Sequence, residues 1–134
     1  MLASDNRVLE LIQETLCAGK SVQGHAAGAF DRKLAAYAAA GALSCHEAIS
    51  TEDVLERLAL GYYVMIREGD IRRDLQIILP VKDMVDLRRV TLVTDGSNPC
   101  LVVKQGYSKP GWYHVVSRGG ASGRYSFQCG GVCV

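Results

Sequence analysis

The 134-residue chain carries 15 basic and 14 acidic side chains, for a formal net charge of +1. That balance gives no electrostatic case for nucleic acid or an anionic membrane as partner, and the pairs Arg72-Arg73 and Arg88-Arg89 read as solvated surface. At 49% apolar and 22% charged residues it has the composition of a globular domain with a core, but its length falls short of the roughly 250 residues of a whole (β/α)8 barrel. No run approaches the roughly 18 apolar residues of a membrane span, and charges interrupt the first ten residues where a secretory leader needs an apolar stretch, so a cytoplasmic location is expected.

In chain order, Ser4, Asp5 and Asn6 are capping residues for a helix over 4–18, with Val8, Leu11, Ile12 and Leu16 at helical spacing and Gly19 as terminator. SVQGHA predicts a short strand ending at His25, and RKLAAYAAA a helix of strong formers that Gly41 stops. ALSCHE predicts a second strand, with His46 and Glu47 at its end. Ser50 or Thr51 caps a third helix, TEDVLERLAL, whose first-turn acids Glu52 and Asp53 complement the helix dipole; Gly61 ends it.

YYVMIRE is a third strand, nearly all apolar as a strand buried on both faces should be. IRRDLQIIL predicts another helix, stopped by Pro80, and KDMVD a short helical piece. RVTLVTD predicts the fourth strand, apolar up to Thr94-Asp95. Asn98 then caps, and Pro99 opens, a further helix. Strands and helices alternating at intervals near twenty residues predict an α/β fold with a parallel sheet in chain order. A doubly wound sheet fits that pattern as well as a barrel does.

Polar residues at the strand ends favour a partial (β/α)8 barrel. His25, His46 with Glu47, Glu68 and Asp95 each close an apolar strand, and in a barrel such ends converge on one face. Two imidazoles and a carboxylate meeting there make a plausible metal-ligand set: neutral nitrogens as donors, an aspartate to add charge and take a proton from water. A lone histidine at a strand end is more often a hydrogen-bonded structural residue, so it is the set that carries the inference. Of five cysteines, Cys17, Cys45 and Cys100 are expected as buried free thiols, and the pair Cys129 and Cys133 is an incomplete metal site.

The words VQGHAAG, KLAAYAAAGALSCHEAIS, LERLALGYYVMIREGD and LVTDGSNP, in this order over roughly residues 20–106, resemble adenine deaminase of the amidohydrolase superfamily. The family reads close to G-H-x-P-G, L-N-A-Y-x-x-A-G-I-x-x-x-H-E, M-I-R-E-G-S and T-D-D. The resemblance implies the second half of the catalytic barrel, strands five to eight, with His25 and His46 as metal ligands after the fifth and sixth strands. It implies Asp95 as a ligand after the eighth strand that also serves as acid/base, Glu47 as a further catalytic residue, and Glu68 as a substrate-binding one. The implied reaction is attack of metal-activated water on C6 of adenine, giving hypoxanthine and ammonia, with manganese or iron, alone or as a pair.

Three positions depart from the family pattern: Ala27 for its usual proline, Tyr62 for methionine and Gly96 for a second aspartate. The family's H-x-H word and the bridging acid of its fourth strand do not occur in the sequence. The half-barrel is therefore expected to occupy residues 1–106, to be inactive alone, and to serve otherwise as a non-catalytic module that self-associates or assembles with a complementing N-terminal half. Another purine or a cyclic amide stays open as substrate. Beyond about Gly106 the motif pattern stops, and residues 107–134 read as a divergent glycine-rich tail, poorly ordered or foreign to the family.

Overall fold

The computed structural model describes residues 5–100 and residue 103. They fall into two compact units that divide between Val64 and Met65. The expected 107–134 tail, with Cys129 and Cys133, lies outside the described residues.

The first unit begins with helix α1, Asn6–Cys17, where the Asp5 side chain accepts from the Arg7 N–H. Only Ile12 of α1 is buried. Helix α2, Asp31–Ala39, buries Leu34. Strand β1 is short, Ser44–Cys45, and leads into α3, Thr51–Ala59. Between the two candidate caps the structure selects Ser50. Its hydroxyl accepts from the Asp53 N–H while the Asp53 carboxylate accepts from the Ser50 N–H, a reciprocal capping box. Each helix is followed by a glycine in the left-handed region, Gly19, Gly41 and Gly61, as the sequence signals require. Leu34, Ala42, Cys45, Val54, Tyr62 and Val64, all at most 1% exposed, form the core. Burying a Val or Leu side chain fully contributes about 1.5–3 kcal/mol, so this small set outweighs the helix-cap terms.

Strand β2, Tyr63–Arg67, runs through the unit boundary. In the first unit it pairs in parallel with β1, Ser44 opposite Tyr63 and Cys45 opposite Val64. In the second unit the Glu68 N–H, just past its end, donates to the Val93 carbonyl of β3, Val90–Val93. The sheet order is β1-β2-β3, chain order as expected, in an α/β arrangement compatible with a partial barrel.

Four expectations need correction. SVQGHA forms no extended strand; it contributes one parallel bridge, Val22 to Ala42. IRRDLQIIL is not an α-helix. Arg73 bridges antiparallel to Glu68, the Asp74 N–H donates to the Arg67 carbonyl, and only Leu75–Ile78 coils, as a 3-10 turn. The chain doubles back on β2 here because Arg67 and Glu68 hold it, the former through Asp74 Oδ2 at 3.0 Å and the latter through the Leu75 N–H at 3.2 Å. KDMVD forms hydrogen-bonded turns rather than a helical piece. Among the described cysteines Cys17 and Cys100 are exposed and Cys45 is buried; Cys17 lies on α1, which lays just Ile12 against the core.

Candidate metal centre

The position of His25 begins with backbone pairing. The Leu43 N–H donates to the Val22 carbonyl and the Gly24 N–H to the Ser44 carbonyl, which lays 22–24 alongside 42–44. A Cβ on residue 24 would sit 3.1 Å from the Ala42 Cβ, so glycine allows the two segments to approach this closely. Both then end at the same level, and His25 emerges beside His46 with ring centroids 5.0 Å apart and planes tilted by 36°.

Glu47 completes the group. Its Oε1 lies 2.8 Å from His25 Nε2 and 3.1 Å from His46 Nε2. The Glu47 side chain is 13% exposed, against 33% for His46 and 62% for His25, so the cluster opens to solvent on the His25 side. The Glu47 N–H also faces the Cys45 sulfur at 3.4 Å, which ties the turn after β1 to the core. One ligand atom from each residue lies within 4.8 Å of the others. Ligands at about 2.0–2.2 Å from one divalent ion stand roughly 3–4 Å apart, so small side-chain rotations bring these atoms into range. Two imidazole nitrogens and a carboxylate oxygen suit zinc, iron or manganese, and the residues present fit such an ion.

A buried guanidinium backs this cluster. Arg57, 0% exposed on α3, donates through Nη2 to the Ala26 carbonyl at 2.9 Å and through Nη1 to Asp53 Oδ1 at 3.2 Å. Sequence reasoning missed it, because an arginine on a helix normally reads as solvated surface. The available signal was the spacing of Asp53 and Arg57 by four on the face that carries Val54. Beneath lies Tyr62, fully buried, whose hydroxyl has no hydrogen-bond partner; burial pushes its phenol above the ordinary value, and Cys45 adds to the rise while Arg57 opposes it.

The remaining two expected site residues belong to the second unit. Glu68 is buried, and its Oε2 accepts from the Leu75 N–H at 3.2 Å. Asp95 sits exposed in the left-handed region (φ 49°), with Gly96 after it also left-handed, and Arg67 Nη1 lies 3.4 Å from its Oδ2. In the first unit, then, the structure brings together His25, His46 and Glu47. Glu47 stands among the ligand-competent atoms, although the resemblance implied a catalytic role for it.

No family model matches the chain. Individual proteins do. An adenine deaminase of Cenarchaeum symbiosum is 48% identical over 91 residues, 66% of this chain. That of Moorella thermoacetica is 41% identical over 121 residues, 88% of this chain. The chain is adenine deaminase-like. A third relative, the adenine deaminase of Deinococcus radiodurans, is 46% identical over 92 residues, 68% of the chain. The chain spans only 15–20% of the length of these three adenine deaminases. The match to the Moorella enzyme is too long to end at Gly106, so likeness to adenine deaminase reaches past the point where the motifs stop. Among the described residues no helix is long and apolar enough to cross a membrane.

Proposed function

We propose that these residues supply part of the metal centre of an adenine-deaminase-type hydrolase, one that converts adenine and water to hypoxanthine and ammonia. The observation that carries this reading is the meeting of His25 Nε2 and His46 Nε2 on the single oxygen Glu47 Oε1, in a chain 38–48% identical to adenine deaminases. In this reading β1, β2 and β3 are the sixth, seventh and eighth strands of a (β/α)8 barrel, and the segment bridged at Val22 is the fifth.

His25 and His46 would hold a divalent ion, manganese or iron, alone or as one of a pair. Bound there, the ion supplies the Lewis acidity that makes water nucleophilic near neutral pH. Glu47 neutralises charge and orients both imidazoles. In the second unit Asp95, with Arg67 beside its carboxylate holding it in place, is the group that would take up and return a proton. Glu68 contributes to the purine site through the position of the loop it anchors at Leu75. Two imidazoles and these carboxylates are fewer ligands than a binuclear centre uses, so the 134-residue chain alone binds metal without rapid turnover.

The test is ammonia release from adenine by the purified chain with added Mn(II), together with direct Mn(II) binding. Binding that depends on His25 and His46 with little or no ammonia supports the reading. Turnover above about 1 s⁻¹, within the usual enzyme range, overturns the inactivity, and absence of histidine-dependent binding overturns the metal centre. A panel of other purines and cyclic amides separates the substrate classes.

One observation favours a second reading, assembly with another chain or a second copy. Leu43 and Tyr63, joined by a Tyr63 N–H to Leu43 carbonyl bond of 2.7 Å, are 43% and 48% exposed. Large apolar side chains left open beside short strands invite pairing. Light scattering tests it; a clean monomer across the micromolar range counts against self-association.

A further inference from the structure

The buried ion pair Arg57–Asp53 touches both segments that carry the candidate ligands. On one side Arg57 Nη2 donates to the carbonyl of Ala26, the residue next to His25. On the other, Asp53 Oδ2 accepts from the N–H groups of Ile49 (3.0 Å) and Ser50 (3.2 Å), in the loop that follows His46 and Glu47. Asp53 Oδ1 and Arg57 Nη1, 3.2 Å apart, close the chain of contacts between them. We infer that Arg57, with Asp53, is a positioning residue that ties the His25 segment to the His46–Glu47 segment and so sets the spacing of the ligand atoms. This inference rests on the metal-centre reading given above.

Three considerations carry it. A buried ion pair is a weak source of stability, because the desolvation of two charges offsets most of their attraction, and apolar side chains would fill the same space. Stability alone therefore gives little reason to place a fully buried arginine here. The planar guanidinium has donors on separate nitrogens and can face two acceptors in fixed directions at once, which a lysine ammonium cannot match. The two acceptors used here are a ligand-bearing loop and the residue that caps the other. The guanidinium meets no ligand itself; it acts through Ala26 and Asp53.

Arg57→Lys and Asp53→Asn are made in the full chain, with Ser50→Ala as a control that weakens the α3 cap and leaves the Arg57 contacts in place. Circular dichroism identifies the folded variants. Two readouts are taken: Mn(II) affinity, from free Mn(II) counted by electron paramagnetic resonance, and, without metal, the magnetisation transfer between the His25 and His46 ring protons. The expected result is a loss of Mn(II) affinity of about tenfold or more, as for other residues behind metal ligands, and a weakened ring contact in either folded variant. Ser50→Ala leaves both unchanged. A folded Arg57→Lys or Asp53→Asn with affinity within about twofold of the parent and an intact ring contact overturns the inference, as does an equal loss in Ser50→Ala. If the ring contact depends on Arg57 but Mn(II) binding does not depend on His25, the tie stands and the metal reading falls. If binding needs His25 but neither readout responds to Arg57, the reverse holds.

Discussion

His25 Nε2 and Glu47 Oε1 lie 2.8 Å apart across 22 positions of sequence. The same oxygen stands 3.1 Å from His46 Nε2, so one carboxylate serves two imidazoles. In the metal-free chain such an oxygen fixes the orientation of both rings.

The first prediction follows from that geometry. Glu47→Gln keeps the size of the side chain and removes its charge. An amide can accept from one imidazole, yet it cannot neutralise a cation. Mn(II) affinity is expected to fall by about tenfold or more, with the fold retained because Glu47 is only partly buried. Unchanged affinity in Glu47→Gln would place the ion elsewhere.

The second concerns Gly69. A Cβ there would come within 2.6 Å of the Thr94 carbonyl oxygen and 3.4 Å of Ser97 Oγ. Backbone, unlike the end of a flexible side chain, cannot step aside cheaply. Gly69→Ala is expected to destabilise the chain by about 1–3 kcal/mol, the usual range for overpacking. Urea denaturation reads this as a lower midpoint with an unchanged slope. A midpoint equal to the parent's would show that the loops after β2 and β3 separate freely.

Ser50→Ala is the third. Its hydroxyl accepts from the Asp53 N–H at 3.1 Å and forms half of the capping box. Loss of such a cap costs about 1 kcal/mol, within a range of about 0.5–2. The Asp53 carboxylate still accepts from the Ser50 N–H, so the lower part of that range is expected in equilibrium unfolding.

Much of this was legible from residue types. The glycines that stop α1, α2 and α3, the cap at Ser50 and the apolar run of β2 are local signals, and local backbone geometry follows them. The polar positions His25, His46 and Glu47 were legible as breaks in apolar patterns, although the segment before His25 forms only a bridge at Val22. What was not legible depended on contacts distant in sequence. Leu75 and Ile78 have helical spacing, yet residues 71–74 fold back because Arg67 and Glu68, at the end of β2, bind Asp74 and Leu75. Arg57 did not stand out in the sequence because its partner, the Ala26 carbonyl, is 31 positions away. Cys17 and Cys100 were expected inside from residue type alone, and no local pattern marked the exposed turns of helix on which they lie.

The last prediction joins burial to pH through Tyr62. Its ring fills the core at 0% exposure, and its hydroxyl reaches no partner. Burial raises its pKa in the folded chain. Above about pH 10, the ordinary tyrosine value, the unfolded chain loses this proton while the folded chain retains it. The unfolded state then binds fewer protons, so stability falls as pH rises. The contribution is intact below that value and is lost as pH climbs through the folded one. Tyr62→Phe removes the titrating group and also the cost of an unsatisfied buried hydroxyl. It is therefore expected to be neutral or up to about 1 kcal/mol more stable at pH 7, with a shallower loss of stability as pH rises above about 10. Paired urea titrations of parent and variant across that window measure both effects. A variant less stable at pH 7 would mean that the hydroxyl is satisfied by a buried water, and an unchanged alkaline slope would mean that other groups dominate there.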